Sequence, residues 1–196
     1  MWKDKLYICS KEDNQLTVVD PKTLYVEKQT GKLLGNRQAY EFIGINDKYG
    51  VITANGDLYR VDLNTLETAL ISMNDGYRGT GSGIVYENKL ILNVSGRKLH
   101  VLDLEDISGD LSQYSFNFPY ETLDVQTNGG CRFVKGEDGN LYTIESSSTG
   151  NSLVKIKPNN LIERSDLRSD YSPSSFGAYR EATFCGSANG ESFFYI

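Results

Sequence analysis

The sequence predicts an all-β fold, and three observations carry that expectation. The phrase from Asn55 to Leu66, Asn-Gly-Asp-Leu-Tyr-Arg-Val-Asp-Leu-Asn-Thr-Leu, reads as a strand between two turns, and nearly the same phrase returns along the chain. The composition, with 13 Tyr, 8 Phe and 19 Gly against 4 Pro and 2 Met, suits many short strands joined by glycine-bearing turns. No window shows sustained helical periodicity, so little or no helix is expected.

The elements follow in order. The first unit has strands at Lys5 to Cys9, Gln15 to Asp20 and Tyr25 to Thr30, the last half polar as befits an outer edge. The second has four, at Tyr40 to Ile45, Tyr49 to Ala54, Leu58 to Asp62 and Glu67 to Met73. The third repeats the order at Gly83 to Tyr86, Lys89 to Val94, Lys98 to Leu104 and Tyr114 to Phe118, with an insertion at Glu105 to Leu111. The fourth has Gly130 to Lys135, Asn140 to Glu145, Ser152 to Lys157 and Asn160 to Asp166, and a fifth begins with Glu181 to Cys185 and Glu191 to Ile196.

Aligning the third strands gives Leu16-Thr17-Val18-Val19-Asp20, Leu58-Tyr59-Arg60-Val61-Asp62, Leu99-His100-Val101-Leu102-Asp103 and Leu153-Val154-Lys155-Ile156-Lys157. A repeat of roughly 40 to 50 residues with four strands each is the signature of a β-propeller blade. One blade cannot bury both of its faces, so neighbours must stack about an axis. The expectation is a single partial propeller over residues 1–196, with units at about 5–30, 40–73, 83–118, 130–166 and 181–196, or about four blades. The run of strands starts and stops at a second strand, which implies a ring completed by further blades or by another copy. The Asp that ends three of the aligned strands is expected to accept backbone hydrogen bonds in the outer turn. Lys157-Pro158-Asn159-Asn160 keeps the turn without the carboxylate, which speaks against a ring of catalytic acids.

Val18-Val19-Asp20-Pro21-Lys22-Thr23 resembles the strand-turn phrase of YVTN-type propellers. Asp138-Gly139-Asn140-Leu141-Tyr142, followed by Ser152-Leu153-Val154-Lys155-Ile156-Lys157-Pro158, looks like the YncE-like surface propellers of the Bacteroidetes kind, and Gly177 to Ile196 fits the start of a blade in that group. The resemblance implies a typically seven-bladed ring, a cell-surface or periplasmic setting and capture of a corrinoid or another scarce nutrient. Its motifs build blades, so no binding residue carries over from it, and the cofactor stays unknown. The group's secretion signal and lipid-bearing cysteine have no counterpart in these residues.

The formal charge of −6 argues against nucleic acid or an anionic membrane as a partner of the whole surface. No segment has the length of a transmembrane span, and Met1 to Lys5 lacks the apolar run of a signal peptide. Cys9, Cys131 and Cys185 stand at no metal-ligand spacing and read as buried small apolar residues.

In propellers, ligands meet the axial channel at the loops leading into the innermost strands. Those loops are Asn36 to Tyr40, Gly76 to Gly79, Asn128 to Arg132 and Ala178 to Glu181. Each carries an Arg and three pair it with a Tyr, which points to a ligand mouth lined by Arg37, Tyr40, Tyr77, Arg78, Arg132, Tyr179 and Arg180. Guanidinium forks two hydrogen bonds onto a carboxylate or phosphate and Tyr adds a flat apolar face, so an anionic or planar small molecule suits it. The alternative for these arginines is to brace neighbouring blades by binding loop carbonyls.

No catalytic residues and no metal ligands are assigned. His100 is the single histidine and sits mid-strand as a packed residue. Asp138-Gly139-Asn140 and Asn74-Asp75-Gly76 have calcium-loop residue types without the spacing and read as turns. Ser146-Ser147-Ser148 and Ser174-Ser175 lack a nucleophile-elbow pattern. The expectation is a non-catalytic binding module for a small molecule or a protein. The rivals are a sugar or lactone hydrolase or lyase, for which Glu41 and Glu181 are the convenient acids, and a protein-binding scaffold.

Overall fold

The structure, a computed structural model, describes residues 2–10, 12–33, 39–54, 57–73, 82–94, 98–114, 117–127, 133–147, 150–166, 183–188 and 191–195. Its strands form five antiparallel sheets in which neighbours in the sheet are neighbours in the chain. The first sheet has three strands, β1 (Leu6–Ser10), β2 (Gln15–Val19) and β3 (Val26–Gln29). The second has β4 (Ala39–Gly44), β5 (Tyr49–Ala54), β6 (Asp57–Asp62) and β7 (Thr68–Ile71). The third has β8 (Gly83–Tyr86), β9 (Lys89–Leu92), β10 (Lys98–Asp103) and β11 (Glu121–Gln126). The fourth has β12 (Val134–Lys135), β13 (Leu141–Ser147), β14 (Gly150–Ile156) and β15 (Ile162–Asp166), and β16 (Thr183–Ala188) with β17 (Glu191–Tyr195) make a fifth of two strands.

Because side chains alternate across a strand, each middle sheet presents apolar residues on both faces, and the sheets stack to cover them. Leu16 and Val18 of the first sheet meet Ile52, Tyr59 and Val61 of the second in one buried layer. Val51, Leu58 and Ile71 leave the opposite face of the second sheet to meet Leu90, Leu92 and Leu102 of the third. Ile91, Leu99 and Val101 then meet Leu141, Val154 and Ile156 of the fourth. Three layers of core thus lie between four sheets, which is the blade stacking of a β-propeller.

The outer turns are one device used twice. Asp20 Oδ1 accepts the amides of Lys22 (2.7 Å) and Thr23 (3.2 Å), and Asp62 Oδ1 those of Asn64 (2.8 Å) and Thr65 (3.2 Å). Each turn then closes through a left-handed leucine, Leu24 at φ 61° and Leu66 at φ 60°, whose amide returns to the carbonyl of the same Asp. In the fourth sheet Asn159 Oδ1 takes the Leu161 amide at 3.2 Å, so an amide oxygen replaces the carboxylate. The structural role expected of these aspartates is the one observed.

Of the strand expected at Tyr114 to Phe118, the described residues Tyr114, Asn117 and Phe118 belong to no strand. Asp103 instead accepts the Glu105 amide at 2.9 Å and caps a short helix, α1 (Leu104–Ser108), which is followed by a 3-10 turn at Leu111–Tyr114. The aromatic alternation that imitates a strand comes from residues that plug the layer between the second and third sheets. Phe118 is buried there, its amide bonds Ser72 O at 2.8 Å, and its ring packs edge-on against Tyr114 at 4.9 Å. The fourth strand of this sheet is β11, further along the chain.

Close approach decides two glycines. A Cβ on Gly44 would lie 2.2 Å from the ring of Trp2, and one on Gly50 would lie 2.3 Å from the Phe42 ring. Phe42 cannot retreat, because Tyr7 stacks on it at 4.1 Å with an interplanar angle of 10°. Gly50→Ala is therefore expected to lower stability by about 1–3 kcal/mol through overpacking, read as a shift in the urea midpoint with an unchanged slope.

Candidate functional site

The innermost strands of the second, third and fourth sheets start at Ala39, Gly83 and Val134. Two of these starts are bonded to each other. Glu41, two residues into β4, accepts the amide of Gly83, the first residue of β8, at 2.9 Å. The starts of these two neighbouring innermost strands therefore stand side by side.

Of the residues expected to line the mouth, Tyr40 lies in β4, at the irregularity between Ala39, which pairs with Ala54, and Glu41, which pairs with Thr53. Arg37, Tyr77, Arg78, Arg132, Tyr179 and Arg180 lie outside the described residues, as do Glu181, Cys131, Asn74 to Gly76, Ser148 and Ser174-Ser175. The described part of the rim is polar but inward-turned. Buried Thr127 donates its hydroxyl to Asn93 Oδ1, and the Asn93 amide bonds Ser82 O at 2.9 Å.

The other candidates are structural. His100 is buried and stacks on Tyr120 at 4.4 Å. Asp138 closes a tight turn with Gly139 at φ 76° and accepts from Tyr142 Oη (2.7 Å), Asn140 Nδ2 (2.7 Å) and Lys155 Nζ (2.9 Å). Burial opposes its charge, but these donors outweigh that and hold the carboxyl well below the usual carboxylate range. Burial, helped by the Glu41 charge, pushes the Cys9 thiol up to about 12, so it is a packed and unreactive sulfhydryl. Among the described residues no three His, Cys, Asp or Glu side chains converge on a point where a metal ion could sit.

Bracing of one sheet by the next falls to residues that sequence reasoning missed. Arg60, on β6, donates Nη1 to Ile107 O (2.9 Å) and Gly109 O (2.6 Å) of the third sheet's helical insertion, with its guanidinium 4.5 Å from the Tyr49 ring centre. Lys28 on β3 donates to Asn64 O of the second sheet at 3.0 Å. Arg164 on β15 donates to Asp124 O of the third sheet and pairs with Glu145 at 2.5 Å, while Glu145 also accepts the Gln126 amide at 3.0 Å. Arginines elsewhere thus take the kind of carbonyl bracing weighed for the mouth arginines, which themselves lie outside the described residues. A signal existed: Arg60 occupies the position held by Val18 and Val101 in the aligned strands, where only the fourth strand, with Lys155, also carries a cation. A polar groove of about 740 Å³ opens beside Arg60, lined by Gln29, Tyr49, Asp62, Glu67 and Thr68, and borders outer strands rather than the strand starts.

The sequence matches, over residues 1–196, the family described as Domain of unknown function (DUF5074). The chain belongs to the DUF5074 family. Its fold is similar to a quinonprotein alcohol dehydrogenase-like protein (BT1487) of Bacteroides thetaiotaomicron, with a TM-score of 0.67 and 23% identity, covering 84% of this chain and 40% of that one. It is also similar to streptogramin B lyase, with a TM-score of 0.63 and 11% identity over 87% of this chain and 53% of that one. Tiger protein O1 of Dictyostelium discoideum is 30% identical over 82 residues, 42% of this chain and 8% of its own length. The DUF5074 chain thus spans well under two thirds of each of these proteins. At such identities the structural likenesses speak for the propeller fold alone.

Two outcomes follow for this DUF5074 domain. Arg60→Ala should lower stability by about 1–3 kcal/mol, since two carbonyls lose a charged donor, and Arg60→Lys should recover only part of it, both read in urea unfolding. The Glu145 carboxyl is held below its ordinary value first by Arg164, against burial. Its contribution is therefore complete above the unfolded value of about 4.3 and is lost as pH falls through that value and on toward the lower folded one. Thermal unfolding should lose stability more steeply on acidification in the wild type than in Glu145→Gln.

Proposed function

We propose that this DUF5074 domain is a non-catalytic binding module that captures an anionic or planar small molecule at the mouth of its axial channel. The units at about 5–30, 40–73, 83–118, 130–166 and 181–196 act as the blades of one such domain, in a surface-type propeller of the YVTN or YncE-like kind whose full ring holds more blades than this chain supplies. The observation that carries the reading is the Glu41 to Gly83 bond, which brings the starts of adjacent innermost strands together. The lead-in segments Asn36 to Tyr40, Gly76 to Gly79, Asn128 to Arg132 and Ala178 to Glu181 each carry an Arg. Arg37, Arg78, Arg132 and Arg180, with Tyr40, Tyr77 and Tyr179, are the residues assigned to contact the ligand, the arginines by forked hydrogen bonds and the tyrosines by their ring faces.

The same bond weighs against the rival hydrolase or lyase. Of the two convenient acids, Glu41 has a structural use, one oxygen accepting the Gly83 amide, and Glu181 lies outside the described residues.

Thermal unfolding of the wild type and of Arg78→Ala/Arg180→Ala against cyanocobalamin, haemin, neutral oligosaccharides and divalent metals tests the proposal. A true ligand at a hundred times its dissociation constant should add about 2.7 kcal/mol to the wild type and little to the double variant. Equal stabilisation of both proteins would remove the arginines from the site.

A further inference from the structure

The layer between the second and third sheets changes character along its height. Ile43, Val51, Leu58 and Ile71 of the second sheet and Leu90, Leu92 and Leu102 of the third make it aliphatic over most of its length. At the end where β4 and β8 start, the alternation of β4 and β5 carries Glu41 and Thr53 to the same face as Ile43 and Val51. Glu41 and Thr53 are register partners, so their side chains leave the sheet side by side. Glu41 crosses to the Gly83 amide, whereas the hydroxyl of Thr53, a residue 0% exposed, has no hydrogen-bond partner.

The next layer holds a satisfied version of the same position. Gly50 faces Val61 and Leu90 faces Leu102, so Thr53 and Asn93, each three residues on, are equivalent. Asn93 is also fully buried, but Thr127, from the stretch leaving β11, donates its hydroxyl to Asn93 Oδ1. The stretch leaving β7 supplies Met73 instead, an apolar side chain of the aliphatic layer. A buried hydroxyl left unmet costs free energy, and a water needs about two to four polar neighbours to settle beside it. Beneath Thr53 the layer is aliphatic, so a partner reaches the hydroxyl from the end at which β4 starts.

We propose that the Thr53 hydroxyl contacts the ligand at the floor of the mouth and sets its specificity, an inference that rests on the reading of that mouth as a ligand site. The hydroxyl both donates and accepts, and the Glu41 carboxylate beside it repels a second anion. The ligand group that meets Thr53 is therefore neutral and polar, a hydroxyl or an amide. The arginines assigned to the mouth hold the anionic part. The ligand class narrows to organic anions that also carry hydroxyls or amides. An anion without them is discriminated against, because it leaves the buried hydroxyl unpaired.

Thermal unfolding and ligand titration of the wild type and Thr53→Val test it. Gluconate and glucose 6-phosphate serve as hydroxylated anions, and hexanoate and inorganic phosphate as their counterparts without hydroxyls. Valine keeps the β-branch and exchanges the hydroxyl for a methyl group, so the ligand-free variant should melt no lower than the wild type. Thr53→Val should weaken binding of gluconate or glucose 6-phosphate roughly three- to tenfold, the worth of one neutral hydrogen bond, and leave hexanoate and phosphate unchanged. A variant that melts lower without ligand would overturn the proposal, since the hydroxyl would then already be bonded within the chain. So would a variant that binds the hydroxylated anions as tightly as the wild type. If Arg78→Ala/Arg180→Ala loses that binding while Thr53→Val keeps it, Thr53 leaves the site and the ligand reading stands; a wild type that responds to none of the four anions removes both.

Discussion

A four-stranded sheet with apolar residues on both faces has no stable existence by itself, and everything else in this protein follows from that constraint. Val51 and Ile52 are adjacent in β5, point to opposite sides and are both fully buried, which is achieved only because one sheet lies in front and another behind. Burial of such a side chain contributes about 1.5–3 kcal/mol, and each layer collects several of them from two sheets. Stability is therefore shared along the stack and belongs to interfaces more than to single sheets.

The polar groups serve that stacking. Aspartates at strand ends tie down outer turns, and the Asp20 carboxyl is held below its ordinary range first by the Lys22 and Thr23 amides. Asp103 is held down first by Lys89 and next by the Glu105 amide, so the same residue that closes a strand also starts the helical insertion. The cations Lys28 on β3, Arg60 on β6 and Arg164 on β15 reach carbonyls of the neighbouring unit, in its turn, its helical insertion and its strand. These bridges add direction to an apolar contact that has none of its own.

Much of the fold was legible because its signals are local. The alternation Leu-Tyr-Arg-Val-Asp and the turn chemistry after it act within a few residues, so strand order and sheet membership could be read from the aligned third strands. Tyr114 to Phe118 misled because aromatic alternation looks the same whether it lines a sheet or plugs the gap between two. The candidate mouth was legible only as a pattern of Arg and Tyr ahead of innermost strands. What the structure adds is the adjacency of those strand starts through Glu41 and Gly83, residues 42 apart in the chain.

The chain's own order of residues determined that it is an all-β repeat with four-stranded units, where its outer turns fall and that its cysteines and histidine have no catalytic pattern, since propensity, turn geometry and spacing are properties of neighbouring residues. Tertiary structure alone decided which cations brace which sheets, that Glu41 is spent on a neighbouring backbone, and that Leu24 stands in solvent while its twin Leu66 is buried. The shared Asp-x-x-Thr-Leu pattern and matching left-handed backbone cannot separate those two leucines. Their difference lies in whether another sheet is packed against them, and that is a fact about distant residues.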